Sequence, residues 1–452
     1  MNPEALTIST RPTLPPGFRP RRGLNWGIVG LMYTSYYLCR YNFSLANKSI
    51  ADEFHFTKSD MSSIISAQLL AYACGQIING LLADRLGGKR AMLIGAAGTV
   101  AMNLVFGAAS FWGILWLFVV LRSIDGYMQA FGAPGFIKIN AAWFSQTERG
   151  TFAGIFGFMI NLGRFGIFKL GPMLLAGFVF LGMWQVPPLH WRWLFWIPAG
   201  IATIVAILLA IFVKDTPEQA GFDGIYDHEH DPGNADVRSN MVVVFKRIVS
   251  NPVVWIFALA YSCTGAVRQC IDQWFPRYLQ EVQHLDMSAP QFQWTGFLIP
   301  FVASAGSLLS GVISDRLFGG RRAPVAAGIY FIEVAVVLLA AQAHSVNAVV
   351  VSFIVISFTV NSTHSLLGPA AAMDIGGRKM AGFASGLIDS FQYFGASVAL
   401  KLLGWLLDKD WDYYFYFMAP FGIVGGLLMF AIRNKNISSI QPPDFNKLGG
   451  HR

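Results

Sequence analysis

The amino-acid sequence predicts an all-α membrane protein, with twelve transmembrane helices in two pseudo-symmetric six-helix halves. Three observations lead there: an apolar composition, the spacing of its apolar runs, and an internal repeat. Of 452 residues, 54% are hydrophobic and 13% are charged, about half the charged share of an ordinary soluble protein. A soluble globular enzyme is excluded on that ground. Runs of roughly 20 mostly apolar residues, the length that crosses a bilayer, recur from about Gly23 to Arg433.

In chain order the spans are expected near 24–46, 61–83, 91–110, 112–137, 150–181 and 192–213 in the first half. In the second they are expected near 252–280, 291–314, 323–343, 347–373, 380–407 and 412–432. The long polar stretch from Lys214 to Arg247 separates the sets, which divides the chain into five parts. These are a tail (1–22), a first half (23–213), a central loop (214–250), a second half (251–433) and a second tail (434–452). Residues 1–22 are rich in Pro, Arg and Thr without an apolar core, so the first span is expected to be retained instead of cleaved as a secretory signal.

Basic residues are retained on the cytoplasmic side of a membrane. Alternate connections hold most of them: Arg19, Arg21 and Arg22; Arg85, Lys89 and Arg90; Arg149; Lys214 to Arg247; Arg316, Arg321 and Arg322; Arg378 and Lys379; and the second tail. The other set holds only Lys48, Lys58, Arg192 and Lys409. Both termini are therefore expected in the cytoplasm, with the chain in the cytoplasmic (inner) membrane. The net charge of +8 has this topological origin, and no nucleic-acid partner is expected because the basic residues form no patch with interleaved aromatics. Cys39, Cys74, Cys263 and Cys270 fall inside apolar stretches and read as small core residues. His55, His190, His284 and His344 lie in connections and His228 and His230 in the central loop, so neither a metal nor a cofactor is expected. No phosphate-binding GxxxxGK[ST] loop and no nucleophile with a positioned base are present, which argues against hydrolysis.

The repeat is explicit. Gly80, Asp84, Arg85 and Gly87 with Lys89 and Arg90 follow the second span, and Gly311, Asp315, Arg316 and Gly319 with Arg321 and Arg322 follow the eighth. Arg149 with Gly157 returns as Arg378 with Gly386. The GxxxDRxGxKR element resembles the cytoplasmic signature of the major facilitator superfamily, and Arg122-Ser-Ile-Asp125-Gly126 resembles its fourth-helix RxxQG motif with Asp in place of Gln. That resemblance implies two parallel halves holding a substrate near the bilayer midplane. It implies gating and folding roles for Gly80, Asp84, Arg85, Gly311, Asp315 and Arg316, with the glycines letting backbones approach.

Charges inside the membrane are costly, roughly 2.5–3.5 kcal/mol for an Arg on insertion scales, and usually face a cavity or a partner. Arg40 lies in the first span and Arg268 in the seventh, at equivalent places in the two halves. Two readings stand: the pair clasps one anion from both sides, or Arg268 pairs with Asp272 one turn on. A planar fork of donors suits phosphate.

The segments YYLCRYNF, SQTERG, KDTPEQAG and the seventh-helix Arg268, Trp274, Pro276, Tyr278 and Leu279 resemble the organophosphate:phosphate antiporters, which include bacterial glycerol-3-phosphate and hexose-6-phosphate transporters. The resemblance runs from about Tyr36 to Asp408 and implies that Arg40 and Arg268 bind the phosphoryl group. Two departures are visible: Gln76 stands where the family commonly has Lys, and Ile160 precedes Asn161 where glycerol-3-phosphate members have His. Arg164 lies one turn after Ile160 and Asp389 at the equivalent place in the other half. They are expected either to pair with one another or, for Asp389, to accept hydrogen bonds from substrate hydroxyls. Tyr37, Tyr41 and Tyr393 complete the expected site with Gln76, Asn161 and Arg164, whereas Lys138, Lys169, Arg277 and Lys401 read as cations snorkelling toward helix ends.

The expected function is exchange of an organophosphate (glycerol-3-phosphate, sugar phosphate or phosphoglycerate class) for inorganic phosphate by alternating access, by a monomer in a lipid bilayer. Two other readings stand beside it: a membrane sugar-phosphate sensor with a transporter fold, and a proton-coupled organic anion symporter using Asp389 or Asp125.

Overall fold

The computed structural model describes residues 14–144, 146–180, 183–222, 225, 250 and 252–434, with the side chains of Asp84, 145–156, 180 and 369–386 left aside. The expectations for most of the central loop, for the ends of both tails, for Arg149 and Arg378, and for His228 and His230 lie outside the described residues.

Helix covers each of the twelve apolar stretches. The first half comprises α1 (Phe18–Phe54), α2 (Lys58–Leu86), α3 (Gly88–Ala109), α4 (Leu115–Gln129), α5 (Gly132–Trp143), α6 (Gln146–Ala176) and α7 (Trp193–Phe212). The second comprises α8 (Pro252–Glu281), α9 (Pro290–Leu317), α10 (Arg322–Ala341), α11 (Val346–Ser365), α12 (Ala371–Leu407), α13 (Tyr413–Tyr416) and α14 (Ala419–Ala431). Among the described residues, nine helical segments are long and apolar enough to cross a membrane by length and composition.

Local chemistry sets the boundaries. Thr57 opens α2 with a reciprocal cap, its hydroxyl accepting from the Asp60 N–H while the Asp60 carboxylate accepts from the Thr57 N–H, each at 3.0 Å. Gly87 separates α2 from α3 in a left-handed conformation (φ 91°) that favours glycine. The Asp215 carboxylate accepts from the Lys89 N–H at 2.6 Å in the first turn of α3, which ties the end of the sixth span to this motif.

Three expected spans are interrupted. The fourth breaks at Ala130-Phe131 into α4 and α5, where Gly132 brings the chain against Tyr36. The fifth stops at Ala176, because Gly177 turns left-handed (φ 84°) into a small antiparallel hairpin, β1 (Phe178–Phe180) with β2 (Trp184–Val186). The twelfth breaks before α14, whose first turn contains Pro420, a residue without a backbone donor. The tenth continues from α11 through a π-helical turn, Leu366–Ala370, into α12.

The halves meet along three helix pairs: α1 with α8, α2 with α12, and α6 with α9. Large apolar side chains such as Ile204, Leu308 and Val398 are exposed on the outer faces, as lipid contact requires. Cys39, Cys263 and Cys270 are buried as expected, but Cys74 is exposed, so it packs no core. Gly80 and Gly311 also depart from expectation: a Cβ at either would meet nothing within 4 Å. The close approach occurs at Gly88, where a Cβ would lie 2.6 Å from the Gly135 carbonyl oxygen. Arg85 and Arg316 are exposed, and Asp315 pairs with Arg322 at 2.7 Å.

Among the described residues, a set of contacts between halves lies toward the end carrying residues 55–57, 282–289 and 408–412. Asp408 accepts from the N–H groups of Lys58 (2.7 Å) and Ser59 (3.0 Å) at the start of α2, and Lys58 lies 3.7 Å from Glu281. Ser66 and Ser397 exchange hydrogen bonds of 2.7–2.9 Å, and Lys401 donates to Ser63. A cleft of about 770 Å³ at this end is lined by Lys48, Asp52, Glu53, His190, His284 and Asp286, and none of the membrane arginines reaches it.

Candidate anion-binding site

The site sits where α1 and α8 face α2, α6, α11 and α12. Arg40 on α1 is 3% exposed and Arg268 on α8 is 5% exposed. Arg40 is flanked by rings, its guanidinium 4.2 Å from the centre of Tyr72 and 4.7 Å from that of Tyr37, the geometry of a cation over an aromatic face. Its Nε donates to Gln129 Oε1 at 2.8 Å and its Nη1 lies 3.4 Å from the Tyr393 hydroxyl. Among the described residues no carboxylate lies within 4.0 Å of Arg40.

Gln129 is held in turn. Its NH2 group donates to both oxygens of Asp125 (3.0 and 2.9 Å), and Asp125 also accepts from Arg122 at 3.0 Å and Gln68 at 3.1 Å. The fourth-helix motif is thus a buried hydrogen-bonded network standing behind Arg40, with Arg122 Nε left without a partner among the described residues.

Arg268 lies 3.4 Å from both ring nitrogens of His364 on α11 and 3.9 Å from Asp272. With its amide turned to satisfy both ends, Gln392 accepts from Arg268 Nη1 at 2.9 Å and donates to Asp389 Oδ1 and the Tyr261 hydroxyl, each at 3.1 Å. Asp389 on α12 also accepts from Gln76 on α2 at 3.2 Å, and Gln76 donates to the Tyr72 hydroxyl at 2.9 Å. Gln76 and Asp389 therefore meet across the two halves.

The expected pairing of Arg164 with Asp389 is not found. Arg164 on α6, fully buried, bonds Asp272 on α8, and the Tyr41 hydroxyl donates to the other Asp272 oxygen at 3.2 Å. Asp272 is nearer in sequence to Arg268 but bonds more closely to Arg164, because the Arg164 side chain reaches from α6 to α8, where Phe168 also meets Phe275 at 5.0 Å. Asn161 accepts from Arg164 at 3.3 Å and donates to Ser304 of α9 at 2.6 Å. Arg277 is a second correction: it does not snorkel but is buried, bonding Glu281 at 2.6 Å and Asn47 at 2.8 Å. Lys169 and Lys401 are exposed and bond Gln293 and Ser63.

Sequence reasoning missed His364, Tyr261, Gln129 and Gln392. His364 carried a signal, an ionisable residue inside an apolar span; it is half-buried and bonds the Tyr261 hydroxyl at 2.7 Å.

Comparisons with known proteins place this geometry. The sequence model described as Major Facilitator Superfamily matches residues 29–400 and 287–447. The chain is 29% identical over 396 residues to the glycerol-3-phosphate transporter of Bacillus subtilis, covering 84% of this chain and 85% of that one. It is 27% identical over 427 residues to the membrane sensor protein UhpC of Salmonella typhimurium, covering 90% of each. It is 27% identical over 408 residues to a probable hexose phosphate transport protein of Chlamydia trachomatis, covering 86% and 85%. Among solved structures, a bacterial homolog of the human lysosomal transporter Spinster, inward-facing and unoccupied, superposes with a TM-score of 0.76 at 14% identity, covering 94% of this chain and all of that one, a likeness of fold alone.

Proposed function

The chain belongs to the Major Facilitator Superfamily, and from that membership we propose that it is a secondary transporter exchanging an organophosphate for inorganic phosphate by alternating access. The observation that carries the reading is Arg40, a buried guanidinium with no carboxylate within 4.0 Å among the described residues, on a helix packed against the one that carries Arg268. A buried charge lacking a counter-ion is unstable. A phosphoryl group between Arg40 and Arg268 supplies that counter-ion, with Tyr37 and Tyr393 donating to its oxygens and Tyr41 lining the site while its hydroxyl holds Asp272.

Its organic part then lies toward Gln76, Asp389 and Tyr261. Hydroxyl groups suit those partners, whereas a carboxylate there would meet Asp389, so glycerol-3-phosphate and hexose phosphates fit better than phosphoglycerate. The relatives named for glycerol-3-phosphate and hexose phosphate support the same classes. With the site emptied, two arginines repel across the interface; a bound anion removes that repulsion, so both directions of rocking need an anion and obligate exchange follows. Arg164 and Asn161, paired to Asp272 and Ser304, bear on closure between halves, and Gly80, Asp84, Arg85, Gly311, Asp315 and Arg316 on gating. The reading takes the protein as a monomer in the inner membrane with both termini in the cytoplasm.

A second reading, a sugar-phosphate sensor, is favoured by the likeness to a membrane sensor protein over 90% of the chain. One experiment separates the two: counterflow of labelled phosphate from phosphate-loaded proteoliposomes against a panel of external organophosphates, beside Arg40→Lys and Arg268→Lys. Exchange with a panel member, lost in both variants, supports the antiporter and names its cargo. Saturable binding without flux supports the sensor, and neither binding nor flux from folded protein overturns both.

A further inference from the structure

Outside the arginine site, α10 buries an acidic residue that nothing above uses. Glu333 is 1% exposed, and among the described residues neither carboxylate oxygen has a hydrogen-bond partner. It lies half-way along an apolar helix of 20 residues. Its neighbours are Gly422 of α14, where a Cβ would lie 3.7 Å from Glu333 Oε1, Val334 at the same contact, and Cys263 of α8. Tyr330, one turn earlier, cannot help, because its hydroxyl bonds Thr264 at 2.5 Å and the Ala260 carbonyl at 2.6 Å.

Charged and titratable groups on every packed element are engaged elsewhere. On α8, Arg268 faces His364, Asp272 faces Arg164, and Arg277 faces Glu281. α14 has no ionisable residue. On α11 the ionisable residue is His364, bonded to Tyr261. On α13, Tyr414 bonds the Cys270 carbonyl and Tyr416 bonds Gln342, while Tyr413 is exposed. On α9, Asp315 and Arg316 stand at the far end, with Asp315 held by Arg322.

An ionised carboxylate in such surroundings has neither solvent nor counter-ion. A hard metal cation would need a ring of oxygen ligands, and a glycine, a valine and a thiol do not supply one. A proton needs no shell: it forms one O–H bond and removes the charge. We propose that Glu333 is a proton-binding site inside the membrane, neutral while α8, α10 and α14 are packed as here, and that loss of its proton loosens α14 from α10. The tight seating of Gly422, Gly425 and Gly426 against Val334, Tyr330 and Phe331, where added Cβ atoms would lie 2.6–2.8 Å away, makes that contact sensitive to a charge beside it. The inference does not depend on the phosphate reading.

The test uses the full chain in liposomes treated with N,N′-dicyclohexylcarbodiimide, which adds to protonated carboxyl groups in apolar surroundings, with the site of addition read by peptide mass. An adduct on Glu333 at neutral pH, lost as the pH is raised and unchanged by saturating phosphate, is the expected result. An unmodified Glu333 at every pH overturns the proposal. Independently, thermal unfolding of Glu333→Gln, which keeps a neutral group of similar shape, should lack the alkaline loss of stability shown by the native chain; equal alkaline loss in both overturns it. The labelling arm stands even where the variant fails to fold.

Discussion

Gln129 accepts a 2.8 Å hydrogen bond from Arg40 Nε while its own NH2 group spans both oxygens of Asp125. Gln392 relates Arg268 to Asp389 in the same way on the other side of the site. Each guanidinium is thereby oriented by a glutamine that relays, without directly sharing, the charge of a buried aspartate. The arginines keep donors free for an anion while their frames are fixed.

Removing the relay should loosen Arg40. Gln129→Leu is expected to weaken phosphate binding about 10-fold, the loss of roughly one charge-assisted hydrogen bond, as read by equilibrium binding of labelled phosphate. Gln129→Glu sets a carboxylate against Arg40 as well as Asp125, giving Arg40 a built-in counter-ion, and should also weaken phosphate binding; unchanged binding in both variants would contradict the relay.

The ion pair of Arg164 with Asp272 is wholly buried. Arg164→Ala should destabilise the protein by about 3 kcal/mol or less, because buried Asp272 is left with only Arg268 at 3.9 Å and the Tyr41 hydroxyl to offset its charge. Adding Asp272→Asn should recover part of that loss. A double-mutant cycle by thermal unfolding in detergent measures the coupling, and strictly additive effects would refute it.

Asp408 caps α2 across the interface. Losing a cap costs about 0.5–2 kcal/mol, so Asp408→Ala should shift the population toward a state open at that end. A cysteine replacing Ser397, in a background with Cys74 removed, should then react faster with a membrane-impermeant maleimide; an unaltered rate would place the closure elsewhere.

Acidification should loosen the turn before α7. His190 lies 3.1 Å from Glu53, and its Nδ1 accepts from the Arg192 N–H at 3.4 Å, an arrangement that suits the neutral ring. Burial, and then the Arg192 charge, hold its pKa below the usual histidine value against the pull of Glu53. The folded state thus takes up this proton less readily than the unfolded chain, and the turn's stability falls as pH drops below about 6.5. The protection of the backbone N–H groups of residues 189–193 against hydrogen exchange, taken relative to the intrinsic rate at each pH, should fall between about pH 7 and pH 5; pH-independent protection would refute it.

Helix positions and the arginine pair were legible because both rest on local costs: a run of apolar residues, and a charge placed within one. What was not legible depends on how helices face one another. Asp272 sits one turn from Arg268 in sequence, and only the approach of α6 to α8 shows that Arg164 holds it. Glu333 carries the same sequence signal as His364, an ionisable residue in an apolar run, but its surroundings show only in the packing of α10 on α14. The break at Ala130-Phe131 is marked by Pro134, which has no N–H for the Ala130 carbonyl four residues earlier, as the one before α14 is marked by Pro420. Gly80 and Gly311 show the limit of motif reading, since the repeat is real but the close backbone contact lies at Gly88.

The glycines between α8 and α12 bear on how a cargo is measured. A Cβ at Gly265 would fall 2.1 Å from the Gln392 carbonyl oxygen, and one at Gly395 would fall 2.5 Å from that of Ser262. These backbones are in direct contact on both sides of the site, so α8 and α12 behave as a single block of fixed width. Arg268 rides on one edge of that block and Asp389 on the other. Their spacing is set by main-chain packing instead of side-chain reach, which makes the block a caliper: a methyl group added at Gly265 would meet the backbone and side chain of Gln392 and, by spreading the two helices, should change the length of molecule the site accepts.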